Sequence, residues 1–314
     1  MRTVNFSDDG VEVVDAPDPL VPPGRLLVRT EAVGVGVGLV RLLAASRGRA
    51  EPVRPGGEIV GTVAAVGAGV SGFEVGDRVG GVVFEDAYAD LVLADPRLVA
   101  RVPGEVGAPA AVCLVRGGLI ALSAPRAGRF APGESVLVTA AASGTGHLMV
   151  QLGRALGASR VVAAVGSPEK APFARDCGAD EVVTYAEPSW GEPVDLVLDG
   201  AGGDLVRRGV DMLAPLGRMV AFSAAGGTVD VSSLLGGMRS VLGFTIGTLD
   251  RTRPDLVNGY RAQVWDLLAR GALRPRCVEF GFDRLAAAVG LVASRGNLGR
   301  VVVTTGGRSA APSP

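Results

Sequence analysis

Four small residues, Ser143, Gly144, Thr145 and Gly146, separate a run of buried-strand character at 135–139 from an apolar-periodic helix at 147–156. Gly157 closes that helix, and a second β-branched run follows at 160–165. Strand, tight turn, helix and strand within about thirty residues form a unit suited to a dinucleotide. A diphosphate needs bare backbone N–H groups and the positive end of a helix dipole. Small side chains let the phosphates reach that backbone, and a glycine at 146 lets the helix pack closely on the strand. The tip of the second strand chooses between the two nicotinamide dinucleotides. Readers of the unphosphorylated form place a carboxylate there for the ribose 2′-hydroxyl. This chain has Gly166-Ser-Pro-Glu-Lys170 instead, so Ser167 offers a hydroxyl and Lys170, the only lysine, a cation. The expected cofactor is NADPH. Asp199 and Gly200 stand at the carboxyl end of a further buried strand at 194–198.

The elements that must position these residues fall into two groups. Residues 1–100 read as all-β, with short strands at 11–14, 25–30, 59–66, 78–84 and 87–93 punctuated by Gly, Pro and Asp. That spacing suggests a small barrel. A small-residue helix at 108–124 leads into alternating strands and helices: helix 168–177, strand 181–184, helix 204–213, strand 218–222 and strand 240–246. This alternation predicts a parallel sheet covered by helices. A long helix spans 255–270, and short strands and one helix return at 278–304. The expected division is 1–116 with 260–314 for the first domain and 117–259 for the nucleotide domain. Residues 308–314 read as a disordered tail.

At 314 residues, 48% hydrophobic and with a net charge of −1, the chain buries a large core and offers no bias toward nucleic acid or an anionic membrane. Aromatics at 4% argue against a base-stacking surface. No leader and no uninterrupted apolar run of spanning length is visible. Cys113, Cys177 and Cys277 are odd in number and far apart, which points to a reducing, cytoplasmic setting rather than a disulfide framework or a zinc site. The single histidine, His147, reads as a helix residue more than a phosphate ligand.

Taken in order, Pro55-Gly-Gly-Glu-Ile-Val-Gly-Thr-Val, Val66-Gly-Ala-Gly-Val, Val75-Gly-Asp-Arg-Val79, Ala87-Tyr-Ala, the 143–146 turn, Asp195-Leu-Val-Leu-Asp199, Leu216-Gly-Arg218 and Gly299-Arg-Val-Val302 resemble a known family. It is the zinc-independent quinone oxidoreductase and enoyl reductase branch of the medium-chain dehydrogenase/reductases, and the resemblance covers nearly the whole chain. It implies a GroES-like β-barrel domain and a doubly wound Rossmann domain, with the cofactor in the cleft between them. It also implies hydride transfer from NADPH to an enone or quinone, and a homodimer joined through edge strands such as 240–246. By residue, it implies diphosphate contacts at Ser143 to Gly146 and 2′-phosphate contacts at Ser167, Lys170 and Tyr185. Asp199, Gly200, Ser223 and Ala224 would border ribose and nicotinamide, and Asn297 and Arg300 would approach the cofactor phosphates.

The departures from the family concern metal and pocket. Zinc-dependent relatives read Gly-His-Glu where this chain has Gly56-Gly57-Glu58, and they carry a cysteine near position 36. A zinc Lewis acid needs about three protein ligands, so none is expected here. The family's polar residues in the early loop and after the linker helix are replaced by Gly36, Leu39, Ile120 and Leu122. That predicts a roomier, apolar pocket for a bulky substrate. Arg41 and Tyr88 are candidates to protonate an enolate; the alternatives are a surface arginine and a packed barrel tyrosine. Two other functions stay open, a nucleotide-binding sensor or partner without turnover and a non-redox tailoring enzyme.

Overall fold

A computed structural model describes residues 1–7, 10–48, 53–223 and 225–306. The chain forms two compact units, one of residues 1–116 and 276–314 and the other of 117–275. In the first, β1 (Arg2–Ser7) pairs antiparallel with β2 (Gly10–Asp15). The long β3 (Leu26–Val35) follows, then a helix α1 (Val37–Ala45) in a stretch expected to be all-β. Next come β4 (Gly57–Val66), β5 (Arg78–Val83), β6 (Leu91–Ala94) and β7 (Val99–Arg101). Residues 87–90, expected as strand, precede β6 as a loop and bring Tyr88 into the core. The helix α2 (Ala108–Val112) continues through one π-helical turn, Cys113–Gly118, so the division at 116/117 falls inside a helical run.

The second unit begins with α3 (Leu119–Ala127) and β8 (Ser135–Val138). It continues with α4 (Gly146–Ala155), β9 (Arg160–Val165), a 3₁₀ turn Pro168–Lys170, α5 (Ala171–Asp176) and β10 (Glu181–Thr184). Then come β11 (Val194–Asp199), α6 (Leu205–Asp211), β12 (Leu213–Ala221), α7 (Ser232–Leu235), β13 (Ser240–Gly243), α8 (Ile246–Thr252) and α9 (Pro254–Ala269). The six strands pair parallel in the order β10-β9-β8-β11-β12-β13. This is a doubly wound sheet, with its topological switch point between β8 and β11. Nearly every residue of β9 and β11 is buried, as a strand covered on both faces requires.

β14 (Cys277–Gly281), α10 (Leu285–Ala293) and β15 (Arg300–Thr304) complete the first unit. Its main sheet runs β14-β15-β3-β4-β5-β7, with β6 also on β3. The return to this unit comes at 276 rather than the expected 260, because α9 packs on α3 and α8 of the second unit. The helical run Ala108–Ala127 is apolar and long enough to cross a membrane, but 67% of its span is buried inside the protein.

Two sequence expectations move at their edges. Strand 240–246 stops at Gly243: Phe244 still donates its N–H to the Ala221 carbonyl of β12 at 2.9 Å, and Thr245 caps the start of α8. Leu213, expected to end the preceding helix, opens β12, which starts five residues ahead of the strand expected at 218. Ala224 and the tail 307–314 lie outside the described residues.

Candidate functional site

β8 ends at the switch point and delivers the turn 139–145 to the amino end of α4. Gly146 permits the close approach: a Cβ there would overlap the Ala140 carbonyl oxygen. The Ser143 hydroxyl accepts from the Gly146 N–H at 3.0 Å, which closes the turn on the helix. The Gly144 and Thr145 N–H groups take no partner among the described residues and are half-buried. Two unclaimed donors at the positive end of a ten-residue helix make an anion cradle that fits a dinucleotide diphosphate. His147 is not part of it. Fully buried, it holds the Ser143 carbonyl through Nδ1 at 2.8 Å, and its ring lies 6.0 Å from Phe173.

Tyr185 supports the turn from the next crossover. Its hydroxyl accepts from the Ala140 N–H at 2.7 Å, and its ring edge passes 3.8 Å from where a Cβ on Gly166 would stand. Tyr185 therefore fixes the phosphate turn relative to the β9 tip, a role absent from the sequence reading. At that tip Ser167 is half-buried and interacts with Glu169, which it holds below the ordinary carboxylate range. Lys170 is half-buried at the end of the 3₁₀ turn.

Asp199 closes the switch point instead of facing outward. It is fully buried, accepts from Thr139 Oγ1 at 2.6 Å and from the Gly202 N–H at 3.1 Å. The same Thr139 hydroxyl accepts the Gly200 and Ala201 N–H groups at 3.0 and 3.1 Å. Ser223 donates to the Ala201 carbonyl at 3.2 Å. These bonds shape the β11 exit loop, and no obvious sequence signal singled out Thr139 as their hub.

The residues expected in the first unit gather differently. Arg300 pairs with Glu58, and Glu58 also takes Arg116 at 3.0 Å. Burial pushes the Glu58 carboxyl up, but Arg300 and then Arg116 outweigh it and hold it below the ordinary range. The Arg300 guanidinium lies over Gly34 and Gly36; a Cβ on Gly36 would stand 3.1 Å from its Nη1. The space expected from glycine at 36 is thus filled by Arg300. Leu39 is 6% exposed and belongs to the core of the first unit, so it is not a pocket wall there. Tyr88 is 2% exposed, donates to the Gly34 carbonyl at 3.1 Å and packs edge-on to Phe6. Burial, then Glu58, pushes its phenol far up, and it packs as a residue of the first unit's core. Arg41 is half-exposed with no ion pair among the described residues. Ile120 is buried on α3, and Asn297 donates to the Gly299 carbonyl at 2.8 Å.

Among the described residues, the donors at the expected zinc positions do not fit a zinc ion. Among the described residues no group of three or more His, Cys, Asp or Glu is placed to hold a metal. Gly36 and Gly57 carry no donor, and Glu58 is committed to two arginines.

A parallel sheet with an anion cradle at its switch point, joined to a mainly antiparallel β unit, defines a two-unit nucleotide-dependent dehydrogenase fold. The alcohol dehydrogenase GroES-like domain model matches residues 22–120, and the zinc-binding dehydrogenase model matches 144–263. The quinone oxidoreductase of Thermus thermophilus is 30% identical and superimposes with a TM-score of 0.80 over 97% of this chain and 100% of that one. A mycobacterial protein in complex with NADPH is 28% identical, with a TM-score of 0.87 over 97% and 100%. By sequence, quinone oxidoreductase-like protein 2 of Mus musculus is 34% identical over 66% of this chain, which spans 63% of that relative. The reducing polyketide synthase FUB1 of Gibberella moniliformis is 29% identical over 94% of this chain, which spans 13% of that protein. The chain belongs to the medium-chain dehydrogenase/reductases, in their quinone oxidoreductase and enoyl reductase branch.

Proposed function

We propose that this chain is an NADPH-dependent oxidoreductase that reduces a conjugated carbon–carbon double bond or a quinone without a metal. The observation that carries the reading is the pair of unclaimed N–H donors at Gly144 and Thr145, set beside a β9 tip that bears serine and lysine instead of a terminal carboxylate. Structural relatives solved with NADPH support the choice of cofactor. Bound NADPH would supply a hydride from its reduced nicotinamide. The chain's part is binding and placement. Gly144 and Thr145 take the diphosphate, Tyr185 holds their turn in position, and Ser167 with Lys170 reads the 2′-phosphate. Thr139 and Asp199 keep the β11 exit loop rigid beside the cradle. The committed Glu58, together with two glycines at metal-ligand positions, supports a reaction without a metal Lewis acid. We place the protein in the cytoplasm as a homodimer joined through the exposed edge strand β13, acting on a small-molecule enone or quinone.

The test is NADPH consumption against quinones, alkyl enones and enoyl thioesters, with zinc assayed in the same preparation. Turnover with at least one class and no stoichiometric zinc is the expected result. Tight NADPH binding with no oxidation by any class would instead establish a nucleotide-binding protein without turnover.

A further inference from the structure

Cys113 and Cys277 lie 164 positions apart in sequence (277 − 113) yet flank the two places where the chain passes between its units. Cys113 stands three residues before the first crossing at 116/117, and Cys277 one residue after the second at 275/276. Element packing brings them into one region of the first unit. Cys277 opens β14 and is in register with Arg300 of β15. α2, which Cys113 terminates, packs on both β14 and β15. Across that packing each thiol bears on the other's proton.

We propose that Cys113 and Cys277 form a reversible redox pair, with the half-exposed Cys277 as the attacking thiol and the buried Cys113 as its resolving partner. The oxidant is a hydroperoxide. The Cys277 sulfur attacks the peroxide O–O bond, water leaves, and the sulfur becomes a sulfenic acid. The Cys113 sulfur then attacks that sulfur, an S–S bond forms, and a second water leaves. Two thiols are oxidised and one hydrogen peroxide is reduced to two waters.

The surroundings assign the order of attack. Cys113 is 1% exposed and its thiol donates to the Pro109 carbonyl at 3.2 Å. Its contact with Cys277, then burial, pushes it well up, so it stays protonated until a partner is presented. The contact with Cys113 lowers the Cys277 thiol, against its burial and the nearby Glu279 carboxylate, 3.7 Å away. A thiolate is the nucleophile in such exchanges, so the lowered, accessible sulfur reacts first. The bond would close a covalent loop around the whole of the inserted second unit. Cys177, buried within that unit, is an internal control.

The experiment is treatment of the full chain with hydrogen peroxide, alkylation in denaturant, and peptide mapping. The expected product is a single Cys113–Cys277 linked peptide, with the loss of two hydrogens from the intact mass. Titratable thiols fall from three to one, and dithiothreitol restores them. In Cys113→Ser, dimedone should trap a sulfenic acid on Cys277. In Cys277→Ser, peroxide consumption should fall at least tenfold, with thermal unfolding checked to confirm that both variants fold. Oxidation at Cys177 in preference to Cys277, or over-oxidation of Cys277 with Cys113 still alkylatable in the wild-type chain, would overturn the pair.

Discussion

In the proposed function, Lys170 carries the choice of cofactor at the β9 tip. A glutamate there would face the 2′-phosphate with a like charge, whereas NADH has no phosphate to repel. Lys170→Glu should raise the Kd for NADPH at least tenfold and leave that for NADH within about twofold, about 1.4 kcal/mol of discrimination. Isothermal titration with both dinucleotides checks this, and an equal loss for the two would remove the assignment. Glu58 belongs to stability instead. Its carboxyl is held below the ordinary value of 4.5 in the folded chain by Arg300 and Arg116. A depressed carboxylate contributes stability that is fully present above its unfolded value and lost as pH falls through its folded value. The contribution should therefore hold at neutral pH and fade below about pH 4.5. Glu58→Ala leaves Arg300 buried without its counter-charge and should cost about 3–5 kcal/mol in urea unfolding at pH 7. The gap to wild type should narrow in acid. A constant gap from pH 7 to pH 3 would show that lost packing, not lost charge, is responsible.

The turn between β8 and α4 is the element on which the proposed binding depends. Gly146 sits against the Ala140 carbonyl, so any side chain must move the amino end of α4 away from the strand. That carbonyl belongs to the residue whose N–H is held by Tyr185, so the displacement reaches the anchor of the turn. Gly146→Ala should destabilise by roughly 1–3 kcal/mol, the usual cost of overpacking. NADPH affinity should fall more than tenfold, because the two free N–H groups turn with the helix. Fluorescence titration of NADPH would detect this; unchanged affinity in a folded variant would place the diphosphate elsewhere.

At the scale of the whole molecule, β13 presents every residue to solvent at the edge of the six-stranded sheet. Val241 and Leu242 are 36% and 42% exposed. An apolar edge with unpaired backbone groups invites a second copy of itself. We expect Val241→Asp with Leu242→Asp to convert a wild-type dimer to monomers in sedimentation at micromolar concentration. A wild-type monomer under the same conditions would remove the edge-pairing reading.

Much of the nucleotide unit could be read from local order along the chain. Continuous β-branched runs, a turn of small residues and glycines at helix ends are short-range signals, and parallel strands buried on both faces leave them little freedom. The motifs 143–146 and 166–170 were legible for the same reason. The absence of zinc ligands at positions 36 and 57 was likewise written in residue types alone, because glycine has no donor whatever the fold. Helix α1 was not legible, since Gly36 and Gly38 argue against a helix there and its packing against α10 is a long-range contact. Nor was the content of the supposed pocket. Leu39 and Tyr88 were judged by their neighbours in sequence, but their surroundings come from strands and helices distant along the chain. Arg300 and Glu58, 242 positions apart, meet only when β15 and β4 flank β3. The room expected at Gly36 therefore vanished when a side chain from the far end of the chain folded into it. The same holds for Thr139 with Asp199 and for Cys113 with Cys277. Residue types are a property of the sequence, but which of them share a charge, a hydrogen bond or a proton depends on long-range contacts that only the assembled sheets create.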